Sequence, residues 1–184
     1  MMKRSIVPLV VALCAAPYAM AANYPTEVFD ANYELTNGGV KTQMRMASDG
    51  KGHFFTETTT AGQRYGTIVD YLNSTSTSLI PQGKMAMKTK LPPSGGYVAD
   101  ENSVKQMNGK SLGSKTINGH PCHGYEYKQA GTDTQTWVGD DCKIVVESTT
   151  NSAAGKSVMD LKSIAKNVPA DLFKVPAGYK LMEQ

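Results

Sequence analysis

Sulfur-containing side chains are the most prominent chemical groups of the chain, and they occur in two patterns. In the first, the pairs Met44/Met46 and Met85/Met87 each place two thioethers on one face of a strand, because side chains alternate along a strand. Thioethers are soft ligands for Cu(I), so copper handling is one function that the pairs predict. Flexible methionines also line apolar cavities. No His or Cys lies near either pair in sequence, which favours the cavity lining.

The second pattern is Cys122 and Cys142, with His120 and His123 on either side of the first cysteine. A disulfide between the cysteines closes a loop of about 20 residues and stabilises a fold by on the order of 3 kcal/mol. The alternative is a metal site of Cys122, His120 and His123. The two histidines, however, are three residues apart on a predicted strand and point to opposite faces. The sequence therefore predicts the disulfide and no metal site.

The position of Cys142 is constrained by this disulfide. Strands two apart in a sheet are separated by roughly 9.6 Å, whereas bridged Cα atoms lie within about 7 Å. Cys142 must therefore lie in a turn, and Gly139-Asp140-Asp141 is typical of a hairpin tip that folds back over the strand of Cys122. Asp140 and Asp141 are then turn residues and not a catalytic pair, because aspartate is common in turns.

The beginning of the chain predicts an oxidising compartment. The basic pair Lys3-Arg4 precedes an apolar run over residues 6–16, and Ala19-Met20-Ala21 has the small-x-small pattern of a signal peptidase site. The run is too short to span a membrane, and Leu13 precedes Cys14 where a lipid-anchored cysteine requires a smaller residue. We expect residues 1–21 to be cleaved and the mature protein to be periplasmic, where disulfides form.

Cleavage leaves a nearly neutral protein. It removes Lys3 and Arg4 from the 19 basic residues and none of the 16 acidic ones, which leaves 17 against 16. Without a basic field, nucleic acid is excluded as a partner. The remaining residues, 22–184, have the length of one domain, mainly of antiparallel strands.

Alternation of polar and apolar residues with a period of two dominates the chain and predicts antiparallel strands. Asn37-Gly38-Gly39 and Asn118-Gly119 predict two tight hairpins. A short helix over 100–108, capped by Asp100, is the one helical prediction. The predicted strands are 29–35, 40–46, 53–58, 64–72, 75–80, 84–88, 111–117, 121–129, 134–138, 144–149 and 157–164.

Several motifs carry a resemblance to a known family: Ile68-Val69-Asp70-Tyr71-Leu72 with Thr75-Ser76-Thr77-Ser78-Leu79-Ile80, Gly-x-x-Cys-x-Gly-Tyr-x-Tyr over 119–127, Thr136-Trp137-Val138, Met159-Asp160-Leu161, and Phe173-Lys174-Val175-Pro176-Ala177-Gly178-Tyr179. Over residues 60–182 the chain resembles uncharacterised exported proteins whose fold is likened to the lipoprotein carriers LolA and LolB. The resemblance implies a mainly β protein with minor α (α+β). Its curved antiparallel sheet forms an incomplete barrel around one or two short helices. In the carriers, the apolar concave face receives acyl chains.

Enzyme signatures such as G-x-S-x-G and H-E-x-x-H do not occur in the sequence. We therefore expect a non-enzymatic carrier-like protein without a cofactor, which shelters a lipid or an acylated partner on the concave face. It does not span the membrane. A copper-handling protein and a structural envelope component recognised through an exposed sheet edge are the alternatives. Alternation places seven predicted lining residues on one face: Met44, Met46, Tyr65, Val69, Tyr71, Met85 and Met87.

Overall fold

Twelve strands form one sheet in the computed structural model, which describes residues 24–60, 62–91, 108–129, 131–153 and 155–183. The order across the sheet is β12-β6-β5-β4-β3-β2-β1-β11-β10-β9-β8-β7. The strands are β1 Val28–Asn37, β2 Val40–Asp49, β3 His53–Thr60, β4 Gln63–Asp70, β5 Thr75–Ile80, β6 Met85–Lys90, β7 Lys110–Ile117, β8 His120–Gln129, β9 Thr132–Gly139, β10 Val145–Ser152, β11 Gly155–Ala165 and β12 Lys180–Glu183.

Most neighbouring strands are consecutive in sequence and antiparallel. The exceptions join distant parts of the chain: β1 pairs with β11, and β12 runs parallel to β6. The sheet is curved and does not close, because β12 and β7 lie at its two ends. The predicted mainly β architecture with an unclosed, curved sheet is therefore confirmed, whereas β12 was not predicted.

The predicted minor α component is not confirmed. Within the described residues, the helical structure consists of one 3₁₀ turn, Ala170–Phe173, which follows Pro169. Of the predicted helix over 100–108, residues 100–107 lie outside the described residues. The predicted signal peptide, residues 1–21, also lies outside them.

The hairpin turns explain why the strands pair in this register. Asn118 and Gly119 adopt φ angles of +51° and +85°, and Gly38 and Gly39 adopt +55° and +84°. Two consecutive residues with positive φ match the right-handed twist of the flanking strands, and Asn-Gly and Gly-Gly adopt this conformation at low cost. Both predicted hairpins are confirmed.

Strands β2–β6 have two apolar faces. Cross-strand partners point to the same face, so the successive pairs Met46–Thr56, Thr56–Thr67, Thr67–Ser78 and Ser78–Met87 define one face, which we name the methionine face. The other face, which we name the pocket face, carries five buried residues: Ala47, Phe55, Ile68, Leu79 and Ala86. Phe54 and Phe55 are adjacent in sequence and lie on opposite faces.

The methionine face packs against side chains from the other half of the sheet. Phe54 belongs to a buried cluster with Phe29 and Tyr33 of β1, Cys122 of β8, Val146 of β10 and Leu161 of β11. The Tyr33 hydroxyl donates a 2.9 Å hydrogen bond to the carbonyl of Val145, so its one polar atom is satisfied inside the cluster. This cluster is the main core of the protein.

Candidate functional site

The pocket face is covered by the segment 168–179, which we name the strap. Val168, Leu172, Phe173, Val175 and Tyr179 of the strap pack against the five buried residues of this face. Between the strap and strands β3–β5 lies a cavity of about 890 Å³, which we name the strap pocket. Its volume is in the range of small-molecule binding sites. It is lined by Phe55, Glu57, Gly62, Gln63, Arg64, Gly66, Leu79, Pro81, Gln82, Asp171, Leu172, Lys174, Val175, Pro176, Ala177 and Tyr179.

Gly66 forms part of the floor of the strap pocket. Gly66 lies opposite Leu79 on β5 and Glu57 on β3. A Cβ atom at this position would lie 3.2 Å from both Leu79 Cδ1 and Phe55 Cε2. The glycine therefore lets the apolar side chains of Phe55 and Leu79 lie close over its backbone, where they line the pocket.

The strap is attached to the sheet at its middle and at its end. Near the middle, the ring of Phe173 lies 6.1 Å from the ring of His53 on β3. At its end, the Lys180 N–H donates a 2.7 Å hydrogen bond to the carbonyl of Lys84, and β12 pairs with β6. These contacts hold the part of the strap between them over the pocket.

A polar groove of about 310 Å³ continues the strap pocket across β3, β2 and β1. Glu57 and Arg64 line both the groove and the pocket. Within the groove, Asp30 accepts two hydrogen bonds from Arg45, 2.8 Å from Nε and 2.5 Å from Nη2. These bonds raise the pKa of Arg45 above its ordinary value. The pocket face is therefore apolar at its five buried residues and charged in the groove.

All seven predicted lining residues lie on the methionine face, opposite the strap pocket. Four of them, Met44, Met46, Val69 and Tyr71, pack against the main core. Tyr71 also stacks on Tyr24 with ring centroids 5.8 Å apart, and its burial raises the pKa of its hydroxyl. These four side chains fill space within the protein.

The other three predicted lining residues lie away from the main core. Met85 and Met87 are half-buried on β6. Tyr65 is 40% exposed, donates a hydrogen bond to Gln63 and accepts one from Gln82. The two Met-x-Met pairs are four strands apart, which is about 19 Å along the sheet. A single copper ion bound by both pairs is not compatible with that separation, and copper binding by one pair remains a prediction.

The cysteines meet at the tip between β9 and β10. Cys142 lies in a turn, as predicted, and the Asp140 N–H donates a 2.7 Å hydrogen bond to the carbonyl of Pro121, so the tip folds over the start of β8. Cys122 is the cross-strand partner of Gly139, and a Cβ atom on Gly139 would lie only 2.4 Å from Cys142 Sγ. The Cys142 sulfur thus occupies the place of the missing side chain, next to Cys122. The two thiols are not bonded in this structure, and burial raises the pKa of each.

Each histidine of the cysteine region pairs with one turn aspartate. His120 Nδ1 lies 2.9 Å from an Asp141 carboxylate oxygen, and His123 Nδ1 lies 2.6 Å from an Asp140 carboxylate oxygen. The hydrogen bond from His120 lowers the pKa of Asp141. Ligand atoms of His120, Asp141 and Cys142 all lie within 4.8 Å of one another, so Asp141, and not His123, completes the group that resembles a metal site.

Sequence reasoning did not find the strap pocket. The adjacent Phe54 and Phe55 were a signal, because two consecutive apolar residues in a strand indicate burial on both faces. The apolar residues of the strap were a second signal. They follow no regular period, so the face that they cover is decided by tertiary packing alone.

The family described as "Predicted periplasmic protein (DUF2092)" matches residues 38–180. The chain belongs to this family. The match confirms the predicted periplasmic location and the predicted membership in an uncharacterised exported family. No curated protein matches the chain significantly. Within the described residues, no helix is long and apolar enough to cross a lipid bilayer.

Three solved proteins share the fold at low sequence identity. An uncharacterised conserved protein from Thermus thermophilus superimposes with a TM-score of 0.66 at 8% identity, over 86% of this chain and 91% of that chain. PNGF-II has a TM-score of 0.57 at 12% identity, and the match covers 86% of this chain but only 31% of PNGF-II. MucB, which has also been solved in a Pseudomonas aeruginosa MucA/MucB complex, has a TM-score of 0.52 at 11% identity, over 82% of this chain and 58% of MucB.

Proposed function

We propose that this periplasmic protein is a non-enzymatic, carrier-like binding protein that shelters an apolar ligand in the strap pocket. The ligand class is a lipid or the acyl chain of a modified partner. The observation that carries the proposal is a cavity of about 890 Å³ with Phe55, Leu79 and Leu172 among its walls. MucB, which shares the fold, has been solved with a protein partner, and this agrees with a binding role.

Burial of methylene groups provides the binding energy. Each methylene transferred from water to an apolar environment gains about 0.8 kcal/mol. A chain of about eight methylenes would gain about 6 kcal/mol, which exceeds the smaller estimates of the rotational and translational cost of binding. The proposed function therefore requires an apolar surface in the pocket that is long enough for such a chain, and it needs no reactive group.

The strap pocket is a better site than the predicted methionine face. On the methionine face, Met44, Met46, Val69 and Tyr71 already pack against the protein's own core. On the pocket face, a cavity of about 890 Å³ lies between the strap and the apolar side chains of Phe55 and Leu79. Ligand binding at the methionine face remains a prediction, and it is tested by the same experiment.

The experiment fills one face at a time. A177W places a large ring in the strap pocket from an exposed position, and S78W places the same ring on the methionine face from an exposed position of β5. We expect the protein to bind a fluorescent fatty-acid probe, A177W to lose at least tenfold in affinity, and S78W to bind like the unmodified protein. Native mass spectrometry of gently purified protein checks for bound lipid.

Two outcomes would contradict the proposed function. If S78W and not A177W loses the probe, the binding site is the methionine face. If the unmodified protein neither retains lipid nor binds the probe, the carrier-like role is wrong and a structural envelope component is favoured. Circular dichroism of both variants verifies that the sheet is intact.

We also propose that Cys122 and Cys142 form a disulfide in the periplasm. The Cys142 sulfur already occupies the space beside Cys122 that Gly139 leaves free. Both thiols lose their protons, one S–S bond forms, and the two electrons pass by thiol–disulfide exchange to the disulfide of an exported thiol oxidant. We expect protein from the periplasm to contain no titratable thiol and to lose about 3 kcal/mol of stability upon reduction.

The alternative to the disulfide is a metal site formed by His120, Asp141 and Cys142. If protein purified from the periplasm has two free thiols and a bound metal ion, the cysteine region is a metal site.

The variant G139A tests the disulfide in a second way. The added methyl group would overlap with the Cys142 sulfur. We therefore expect the disulfide to form more slowly in G139A than in the unmodified protein. N-terminal sequencing of the same sample tests the predicted cleavage after Ala21.

A further inference from the structure

A second, smaller cavity lies beside the strap pocket on the pocket face, and we name it the end cavity. Its volume is about 250 Å³, and its walls include Ile68 of β4, Thr77 of β5, Phe173 of the strap and Leu181 of β12. Small-molecule binding sites have volumes of about 300–1,000 Å³, so the end cavity is too small to be such a site by itself. It can matter to a ligand only as an extension of the strap pocket.

The strap divides the two cavities. Leu172 lines the strap pocket, and the next residue, Phe173, lines the end cavity. The floors of the cavities are adjacent, because Phe55 of the strap pocket is the cross-strand partner of Ile68 of the end cavity. Of the residues that the structure describes, Val175 lines both cavities and no other residue does. The two cavities therefore meet at the side chain of Val175.

Val175 closes the boundary because it packs down onto the sheet. It is half-buried and contacts the buried residues of the pocket face. An apolar chain in the strap pocket that follows Leu79 and Phe55 along the floor reaches the end cavity only past this side chain. Val175 is thus placed to stop a chain at one length.

The end cavity suits the last part of an apolar chain. Its floor residue Ile68 is 7% exposed, and Phe173 packs against the buried residues of the pocket face. The ionisable side chains of its lining have partners within the protein: His53 with Asp49, Asp70 with Asn73, and Lys88 with Glu183. An apolar chain end in this cavity would leave these pairs in place.

We infer that Val175 limits the length of the chain that the strap pocket accepts. This inference rests on the proposed function and adds a specificity-determining residue to it. Each methylene buried on the near side of Val175 raises the affinity by up to about fourfold. Methylenes beyond that length stay in water or displace Val175 from its packing, so they add no affinity. Removal of the two methyl groups of Val175 joins the strap pocket to the end cavity, which then holds the rest of a longer chain.

The test measures affinity as a function of chain length. Saturated fatty acids from octanoate to octadecanoate, in steps of two carbons, compete with the fluorescent fatty-acid probe for the unmodified protein, V175A and V168A. Val168 is the matched control. It is also a half-buried valine of the strap that packs against the same buried residues, but it lines neither cavity. Both substitutions weaken the packing of the strap, and only V175A removes the boundary.

For the unmodified protein and for V168A, we expect the affinity to rise with chain length and to stop rising at one length within the series. We expect V175A to bind the shortest fatty acids with unchanged affinity and to extend the rise by two carbons or more. The first fatty acid beyond the limit should then bind V175A about tenfold more tightly than the unmodified protein. V175L leaves no cavity in the strap, and its larger side chain should move the limit to shorter chains.

Three results would overturn the inference and leave the proposed function intact. They are an affinity that rises through octadecanoate in the unmodified protein, a limit that neither V175A nor V175L moves, and a limit that V168A moves as far as V175A. The last result would show that any loosening of the strap admits longer chains. If the unmodified protein binds neither the probe nor any of the fatty acids, the proposed function is wrong and the inference fails with it.

Discussion

The two faces of strands β2–β6 bury apolar side chains in different ways. The methionine face packs against β1 and the strands of the other half of the sheet, which belong to the same curved layer. The pocket face packs against the strap, a segment with one 3₁₀ turn and no other regular structure over the face. A neighbouring strand contacts the sheet along its whole length, whereas the strap contacts the sheet through a few side chains. A cavity therefore forms on the pocket face, although both faces are apolar.

Phe54 and Phe55 provide the most direct test of this difference. Phe54 is 7% exposed within the main core, and Phe55 is 4% exposed beside the strap pocket. We expect F54A to lower the free energy of unfolding by about 3–5 kcal/mol without changing probe affinity. F55A enlarges an existing cavity, so we expect a smaller loss together with weaker probe binding. Urea denaturation and probe titration measure both quantities, and equal losses would show that the faces are packed alike.

Gly124 and Gly66 extend the comparison to positions where a methyl group is added. A Cβ atom on Gly124 would lie 2.5–2.7 Å from three ring atoms of Trp137, whose ring packs against the main core and under the Lys115 ammonium. We expect G124A to cost about 1–3 kcal/mol of stability, because an aromatic ring must move. At Gly66 the neighbours are side-chain ends 3.2 Å away, so we expect G66A to cost less and to weaken probe binding. A stable G124A protein would contradict tight packing there.

Asp49 tests how firmly the contact between His53 and Phe173 of the strap is supported. Its carboxylate accepts hydrogen bonds from the Lys51 and His53 N–H groups and lies 2.6 Å from His53 Nδ1. Burial raises the pKa of Asp49, but these hydrogen bonds outweigh it and hold the pKa below 3.8. The stabilisation is complete above the unfolded value and is lost as the pH falls through the folded pKa.

We therefore expect D49N to cost about 1 kcal/mol at pH 7 and less at pH 2. Urea denaturation across this pH range measures the difference. If the cost of D49N is the same at both pH values, the lowered pKa of Asp49 does not contribute to stability. Because His53 also contacts Phe173, weaker probe binding by D49N at pH 7 would show that this contact positions the strap.

The methionines give the smallest expected effect. Leucine and methionine have similar volumes, so M44L and M87L should each change stability by less than about 1.5 kcal/mol. We expect neither variant to change the affinity for the fatty-acid probe, because both residues lie on the face opposite the strap pocket. Titration with Cu(I) tests the alternative function. Tight copper binding that either substitution abolishes would assign the methionine face to a metal.

Local signals predicted most of the sheet and little of the candidate site. Asn118-Gly119 predicted its hairpin because two positive φ angles are required there, and the alternation in β2 predicted a half-buried strand. The strap pocket depends on contacts between β3–β5 and residues about 100 positions later, which no local pattern encodes. The position of Cys142 was predicted because disulfide geometry is itself a long-range constraint.

The pairing of β1 with β11 has a consequence for how the protein reaches its native state. Almost every other strand finds its partner next to it in sequence, but this pairing brings Asn37 opposite Ser157 across more than a hundred intervening residues. The entropy of closing so long a loop is lost before the new hydrogen bonds and packing compensate it. Strands β2–β6 and β7–β10 can therefore form early as separate meanders. Their union at β1 and β11 completes the main core, and we expect it to be the slow step of folding.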